Sequence, residues 1–191
     1  MTTAKTPSRL MTADELLDME RVPGKRFELI RGVLTEKEVA TGDPHAATVL
    51  RAGSVVLHYT DATDYGDARA GEPGYKLESD PDTVRAPDVA WFAPGRIPPG
   101  TTGSPELTPD LCIEVASPSN SRRDRLLSDK AQMWLDFGAR EVWVLNPENT
   151  SVARYRPGQP TLTLHEDDVL DGEELLPAFS VPVWQLFRRQ R

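Results

Sequence analysis

Two long apolar runs and the amphipathic segment between them form the clearest pattern in this chain. Residues 111–116 and 141–145 are almost continuously apolar, as expected for buried strands, and residues 122–137 have the spacing of a helix. Gly138, directly after Phe137, supplies a C-cap. The order strand, helix, strand predicts two parallel neighbours joined by a right-handed crossover.

Two further helices are predicted from their N-terminal signals. Thr12 and Glu15 have the spacing of a capping box, which predicts a short helix over residues 13–20. Asp43 followed by Pro44 supplies an N-cap acceptor and a proline at the first helical position, so a second helix should run to about residue 59. The packed stripe of this second helix is expected to be Ala47, Leu50, Ser54 and Leu57.

The remaining patterns predict a chain rich in short strands. Glycine and proline separate segments of strand composition, and residues 93–110 are expected to form a surface loop. Residues 183–187 are predicted to dock as a short C-terminal helix. The predicted short strands are residues 26–30, 33–36, 67–70, 75–77, 88–92, 152–156 and 161–164.

Composition and charge limit the class of protein. The 191 residues and their 38% hydrophobic content suit one folded domain, expected over residues 12–191 after a flexible tail at 1–11. A single cysteine, Cys112, excludes an intramolecular disulfide. No stretch approaches the roughly 18 apolar residues of a spanning helix, so a cytoplasmic protein without membrane contact is expected. The net charge of −8 opposes simple adhesion to nucleic acid, but bound divalent cations would offset it in a nuclease.

Lys130 is the residue that fits its surroundings least, because it is the only charge on the predicted apolar face of the 122–137 helix. An ammonium group directed at a core is unfavourable unless carboxylates receive it. Glu114, inside an apolar strand, and Asp88, directly after Pro87, are the acids able to do so. Two acids and a lysine indicate metal-dependent hydrolysis; the alternative is a structural ion pair between Glu114 and Lys130. The other members of the helix face are Leu126, Leu127, Ala131, Met133, Trp134 and Phe137.

Three more residues are candidates for supporting roles. Glu28 is either a third carboxylate or a solvated strand residue paired with a neighbouring arginine, Arg26 or Arg31. His45 either contacts the substrate or is an ordinary polar side chain, and Arg123 is placed to meet phosphates. The chain has no histidine-based zinc pattern, nucleophile elbow or phosphate-binding glycine loop.

Several short motifs occur in a fixed order over residues 12–156. They are Phe27-Glu-Leu-Ile-Arg-Gly32, a histidine near the start of the next helix, Pro87-Asp-Val-Ala90, Ile113-Glu-Val-Ala-Ser-Pro118, Arg123-Asp124, Lys130 and Glu141-Val-Trp-Val-Leu-Asn-Pro147. In this order and spacing the sequence resembles the Uma-two family of restriction endonucleases, within the PD-(D/E)xK superfamily.

The resemblance implies a fold, a cofactor and roles for individual residues. The fold would be α/β, with a restriction-endonuclease-like mixed central sheet flanked by helices. Asp88 and Glu114 would bind Mg²⁺ or Mn²⁺, and Glu28 would be an accessory acid. Ala116 occupies the usual position of the catalytic lysine, so Lys130 would take over that role from the helix.

The expected activity is endonucleolytic hydrolysis of phosphodiester bonds in nucleic acid, with DNA as the substrate. One alternative is a non-catalytic nucleic-acid-binding or assembly module that retains the nuclease fold. Another is a metal hydrolase acting on a small phosphoester. A homodimer is expected, since one site cuts one strand. Phe179, Val183, Trp184 and Phe187 either form its contact surface or cover the sheet.

Overall fold

The computed structural model describes residues 9–20, 22–23, 25–37, 43–117 and 121–187, without the side chains of 121–125. Its helices are α1 (Ala13–Asp18), α2 (Asp43–Thr63) and α3 (Ser121–Asp136), followed by a 3₁₀ helix at Val183–Leu186. Its strands are β1 (Arg26–Ile30), β2 (Val33–Lys37), β3 (Asp67–Ala70), β4 (Tyr75–Glu78), β5 (Thr83–Arg85), β6 (Val89–Phe92), β7 (Leu111–Val115), β8 (Glu141–Asn146), β9 (Ser151–Tyr155), β10 (Leu162–Leu164), β11 (Val169–Asp171) and β12 (Ser180–Pro182).

The chain divides into two compact units. Unit 1 consists of Met1–Val39, Gly74–Ala86 and Thr101–Leu107, and unit 2 of Ala40–Pro73, Pro87–Gly100 and Thr108–Arg191. A single domain over residues 12–191 stays a prediction. Within the described ranges, no helix is long and apolar enough to cross a membrane.

Unit 1 is built on a four-stranded sheet in the order β2-β1-β5-β4. The capping box predicted for α1 is present, with the Thr12 hydroxyl accepting from the Glu15 amide and the Glu15 carboxylate accepting from the Thr12 amide. Ala13 of α1 packs with Leu29 of β1 and Val84 of β5 in a small core. The three-residue strand β5 was not predicted, although it pairs with both β1 and β4.

Unit 2 is built on a six-stranded mixed sheet in the order β10-β9-β8-β7-β6-β3. β7 and β8 run parallel, and α3 connects them, so the predicted strand, helix, strand unit is confirmed. The other neighbours in this sheet pair antiparallel. The hairpin of β11 and β12 was not predicted, because both strands are only three residues long.

Alternation along the central strands gives the sheet of unit 2 two different faces. Odd-numbered residues such as Trp91, Ile113 and Trp143 belong to the main core together with Ala52 and Val56 of α2. The even-numbered residues of β7 point to the opposite face, against which α3 packs. This arrangement matters for function because Glu114 is an even-numbered residue of β7.

The packed stripe predicted for α2 is wrong, the face predicted for α3 is right in part, and the C-terminal residues follow the second of their two alternatives. In α2 the buried residues are Thr48, Ala52, Val56 and Tyr59, whereas Leu50 is 71% exposed and Leu57 48% exposed. In α3 the prediction is confirmed for Ala131 and Trp134, which are buried, and is wrong for Leu126, which is 56% exposed. At the C-terminus Phe179, Val183 and Phe187 belong to the main core, so they cover the sheet and offer no free contact surface.

Candidate active site

Glu114 is a buried carboxylate on a strand whose other side chains are apolar and buried. Its flanking residues, Ile113 and Val115, point into the main core, so Glu114 points to the face covered by α3. Glu114 is 2% exposed. A carboxylate at this depth is stable only with partners, and α3 supplies two of them.

Lys130 and Trp134 donate to the two oxygens of Glu114 from successive turns of α3. The Lys130 Nζ lies 2.7 Å from Oε2 of Glu114, and the Trp134 indole Nε1 lies 2.8 Å from Oε1. Residues four apart lie on the same helix face, which explains how one carboxylate receives both donors. The structure therefore places Lys130 against Glu114.

The C-terminal end of α3 holds Trp134 in place. The Ala139 amide donates to the Trp134 carbonyl at 3.0 Å, and the Gly138 amide donates to the Leu135 carbonyl at 2.9 Å. Together they form a Schellman motif in which Gly138 takes the left-handed conformation, with φ at 98°. The predicted C-cap at Gly138 is confirmed, and it fixes the backbone that carries the indole.

Asp88 lies beside Glu114 at the start of the neighbouring antiparallel strand. It precedes β6, whose first residue, Val89, pairs with Ile113. The Oδ2 of Asp88 accepts a hydrogen bond from the Val115 amide at 2.7 Å, and Asp88 is 4% exposed. This bond ties the Asp88 carboxylate to the peptide that follows Glu114.

His45, in the first turn of α2, approaches the other oxygen of Asp88. Its Nε2 lies 4.0 Å from Oδ1, beyond hydrogen-bond distance but within reach of an electrostatic interaction. Its Nδ1 is buried and has no hydrogen-bond partner among the described residues. The structure therefore brings His45 close to Asp88.

Glu28 belongs to unit 1 and is engaged there. It is buried, accepts from the Ala86 amide at 3.0 Å and pairs with Arg85 Nε at 3.0 Å. The alternative prediction of a solvated residue paired with Arg26 or Arg31 is wrong, since Glu28 is only 5% exposed and its ion pair is with Arg85 of β5. Its accessory role stays a prediction.

Arg123 and Cys112 lie on α3 and β7, the elements that carry Lys130 and Glu114. The side chain of Arg123 lies outside the described residues, so its phosphate contact stays a prediction. Cys112 is fully buried, on the same side of β7 as Glu114. Burial raises the pKa of the Cys112 thiol well above its usual range, and the charge of Glu114 raises it further. The thiol therefore stays protonated and is no nucleophile.

The acids suit a hard divalent cation. No cluster of three or more His, Cys, Asp or Glu side chains able to hold a metal occurs in the described part of the chain. Mg²⁺ is ordinarily bound by one or two carboxylates together with water and substrate phosphates, so Asp88 and Glu114 are the residues that could hold it. Each Glu114 oxygen accepts one hydrogen bond from a described residue and has a further lone pair.

Sequence reasoning missed the role of Trp134, which it assigned only to the apolar face of α3. The available signal was its position four residues after Lys130, because a buried indole N–H requires an acceptor. Arg85 was missed as the partner of Glu28, since its strand had not been recognised.

The comparisons with known proteins agree with the fold. Residues 13–184 match the Uma2 family, whose description is "Putative restriction endonuclease". A crystal structure from Anabaena variabilis, described as "a putative nuclease belonging to DUF820", is similar with a TM-score of 0.75 and 24% identity, covering 93% of this chain and 97% of that chain. No match was found among curated proteins. The predicted restriction-endonuclease-like α/β fold is confirmed.

Proposed function

We propose that this chain, which belongs to the Uma2 family, is an endonuclease that hydrolyses phosphodiester bonds of DNA with Mg²⁺ or Mn²⁺. The observation that carries the proposal is the meeting of two buried acids and a lysine. The Glu114 carboxylate accepts a hydrogen bond from the Lys130 ammonium at 2.7 Å, and the Asp88 carboxylate accepts one from the amide of Val115, the residue after Glu114 in β7. Because the family is described as one of restriction endonucleases, nuclease activity is the function that best accounts for these three residues.

Asp88 and Glu114 would hold the cation through their carboxylate oxygens. When bound, the cation supplies Lewis-acid stabilisation of the negative charge that develops on the phosphate. Lys130 orients the attacking water and adds positive charge beside the phosphate, as an ammonium with three donors can do. His45 would contact the phosphate from the Asp88 side, and Arg123 would add a further positive charge.

The structural ion pair is the main competing explanation for Glu114 and Lys130. It accounts for the buried contact, but it gives no reason for Asp88 and the partly unsatisfied His45 to lie beside it. Active sites are places where burial and charge partners are brought together around ionisable groups. The convergence therefore favours catalysis.

Asp88→Asn tests the metal site directly. The amide oxygen of asparagine can still accept from the Val115 amide, so the fold should be retained while the negative charge is lost. We expect Mn²⁺ to bind at least about tenfold more weakly, because even groups that only orient a ligand typically contribute 10- to 100-fold. Calorimetric Mn²⁺ titration and cleavage of labelled single- and double-stranded DNA measure the effect.

Asp110→Asn is the matched control. Asp110 is also a buried aspartate of unit 2 that accepts a backbone amide, that of Ala93 at 2.9 Å. It precedes β7 at the end away from Glu114, so its replacement should leave Mn²⁺ affinity unchanged. A wild-type protein that neither binds Mn²⁺ nor cleaves DNA would instead support the non-catalytic module. Mn²⁺-dependent hydrolysis confined to small phosphoesters would support the third alternative.

A homodimer is the expected form of the enzyme on duplex DNA. One site of this kind cuts one strand, and two-fold symmetry would supply the second site and additional phosphate contacts. We expect the mass from light scattering to approach that of two chains at micromolar concentration and to fall on dilution. A constant monomeric mass, together with nicking of one strand only, would contradict the dimer.

A further inference from the structure

The carboxylate of Glu114 is held by two donors of different mobility. Trp134 is fully buried, and its backbone is fixed by the Schellman motif at the end of α3. The Lys130 side chain is 15% exposed and reaches Glu114 through a flexible four-carbon stem. The indole is therefore the rigid donor and the ammonium the movable one.

The orientation of a carboxylate depends on such donors. The terminal torsion of a glutamate side chain is broad, so the plane of its oxygens is poorly defined without a fixed contact. Trp134 Nε1 supplies that contact at Oε1, whereas Lys130 occupies Oε2. If Lys130 turned toward a substrate phosphate, the bond from Trp134 would remain.

We propose that Trp134 is a positioning residue: its indole N–H holds Glu114 in the orientation that binds the divalent cation, which leaves Lys130 free to act on the substrate. The inference rests on the proposed function and adds a division of labour to it. Trp134 should determine how tightly the metal binds, and Lys130 should determine how fast the loaded site reacts.

The chain contains a matched pair of contacts for testing this inference. Trp143 also donates its indole N–H to a buried carboxylate, that of Glu141, elsewhere in the same unit. Trp134→Phe and Trp143→Phe therefore remove the same group from comparable surroundings. Only the first variant alters a carboxylate of the proposed metal site.

The experiment measures Mn²⁺ affinity of the DNA-free protein by electron paramagnetic resonance and the Mn²⁺ concentration that gives half-maximal cleavage. We expect Trp134→Phe to weaken the Mn²⁺ affinity and to raise the Mn²⁺ concentration for half-maximal cleavage, each by about 10- to 100-fold, with partial recovery of the rate at saturating Mn²⁺. Trp143→Phe should leave both unchanged. Thermal unfolding of the two variants reports the structural cost separately.

Equal Mn²⁺ affinities in the two variants, with a wild type that binds Mn²⁺ and cleaves DNA, would overturn the positioning role and leave the proposed function intact. A wild type that neither binds Mn²⁺ nor cleaves DNA would overturn both.

A second measurement serves if Trp134→Phe fails to fold. In the wild-type protein, Mg²⁺ should shift the indole ¹H–¹⁵N resonance of Trp134 more than those of the other three tryptophans, which are assigned through their own Phe variants. An unshifted Trp134 resonance in a protein that binds Mg²⁺ would overturn the inference.

Discussion

Lys130→Met should lower the rate of metal-dependent DNA cleavage by about 10²- to 10⁴-fold, the usual contribution of a proton-handling or electrostatic group. Methionine keeps the unbranched stem of the lysine and removes only its charge and donors. The fold should survive, because Trp134 still donates to the second oxygen of Glu114. Single-turnover cleavage at saturating Mn²⁺ measures the loss in the chemical step.

Lys76→Met is the control for loss of one lysine from an ion pair. Lys76 pairs with Glu106 at 3.1 Å within unit 1, outside the proposed site. This variant changes the net charge by the same amount and should cleave at the wild-type rate. If Lys130→Met unfolded, or cleaved as fast as Lys76→Met, the structural ion pair would be the better explanation of Lys130.

Glu114→Ala should reduce the free energy of unfolding by about 3 to 5 kcal/mol, the usual cost of removing one partner from a buried ion pair. Two groups lose their acceptor at once, the Lys130 ammonium and the buried Trp134 indole N–H. Cleavage should be lost as well, since the variant lacks one of the two acids proposed to bind the metal. Urea denaturation measures the stability, and Mn²⁺ titration is carried out under folding conditions.

Glu141→Ala separates the structural from the catalytic part of this effect. Glu141 is likewise buried and accepts from one tryptophan, Trp143, and one cation, Arg154. Its removal should destabilise the protein to a similar extent while Mn²⁺ affinity stays at the wild-type level. Equal losses of Mn²⁺ affinity in the two variants would show that instability alone explains the Glu114 result.

The sequence predicted the segment formed by β7, α3 and β8 well because the signals for these elements are local. β7 and β8 are continuous apolar runs, and α3 has a clear C-cap glycine, so each element could be recognised by itself. The stripe of α2 was wrong for a physical reason. Thr48, Ala52, Val56 and Tyr59 form the buried face, whereas Leu50 and Leu57 remain outside. Small and apolar residues occur on both faces of α2, so their pattern did not identify the packed face.

The polar partners of the site were harder to predict than its acids. A charge inside an apolar pattern identifies Glu114 and Lys130 without knowledge of the fold. The bond from the Val115 amide to Asp88 depends on the pairing of β6 with β7, and the Arg85 contact depends on a three-residue strand. These contacts depend on how the strands pair in the folded chain, which residue propensities and sequence spacing do not reveal.

Glu114 and Glu141, which each accept from a tryptophan, differ in the cation that pairs with them. Arg154 contacts Glu141 through two nitrogens, at 2.6 Å and 3.0 Å, so separating them breaks two bonds of a planar fork. Lys130 contacts Glu114 through one nitrogen that can rotate and exchange acceptors. The Lys130 ammonium can therefore move its contact from Glu114 to a ligand. An arginine in its place would favour a permanent pair with Glu114 over a reversible one.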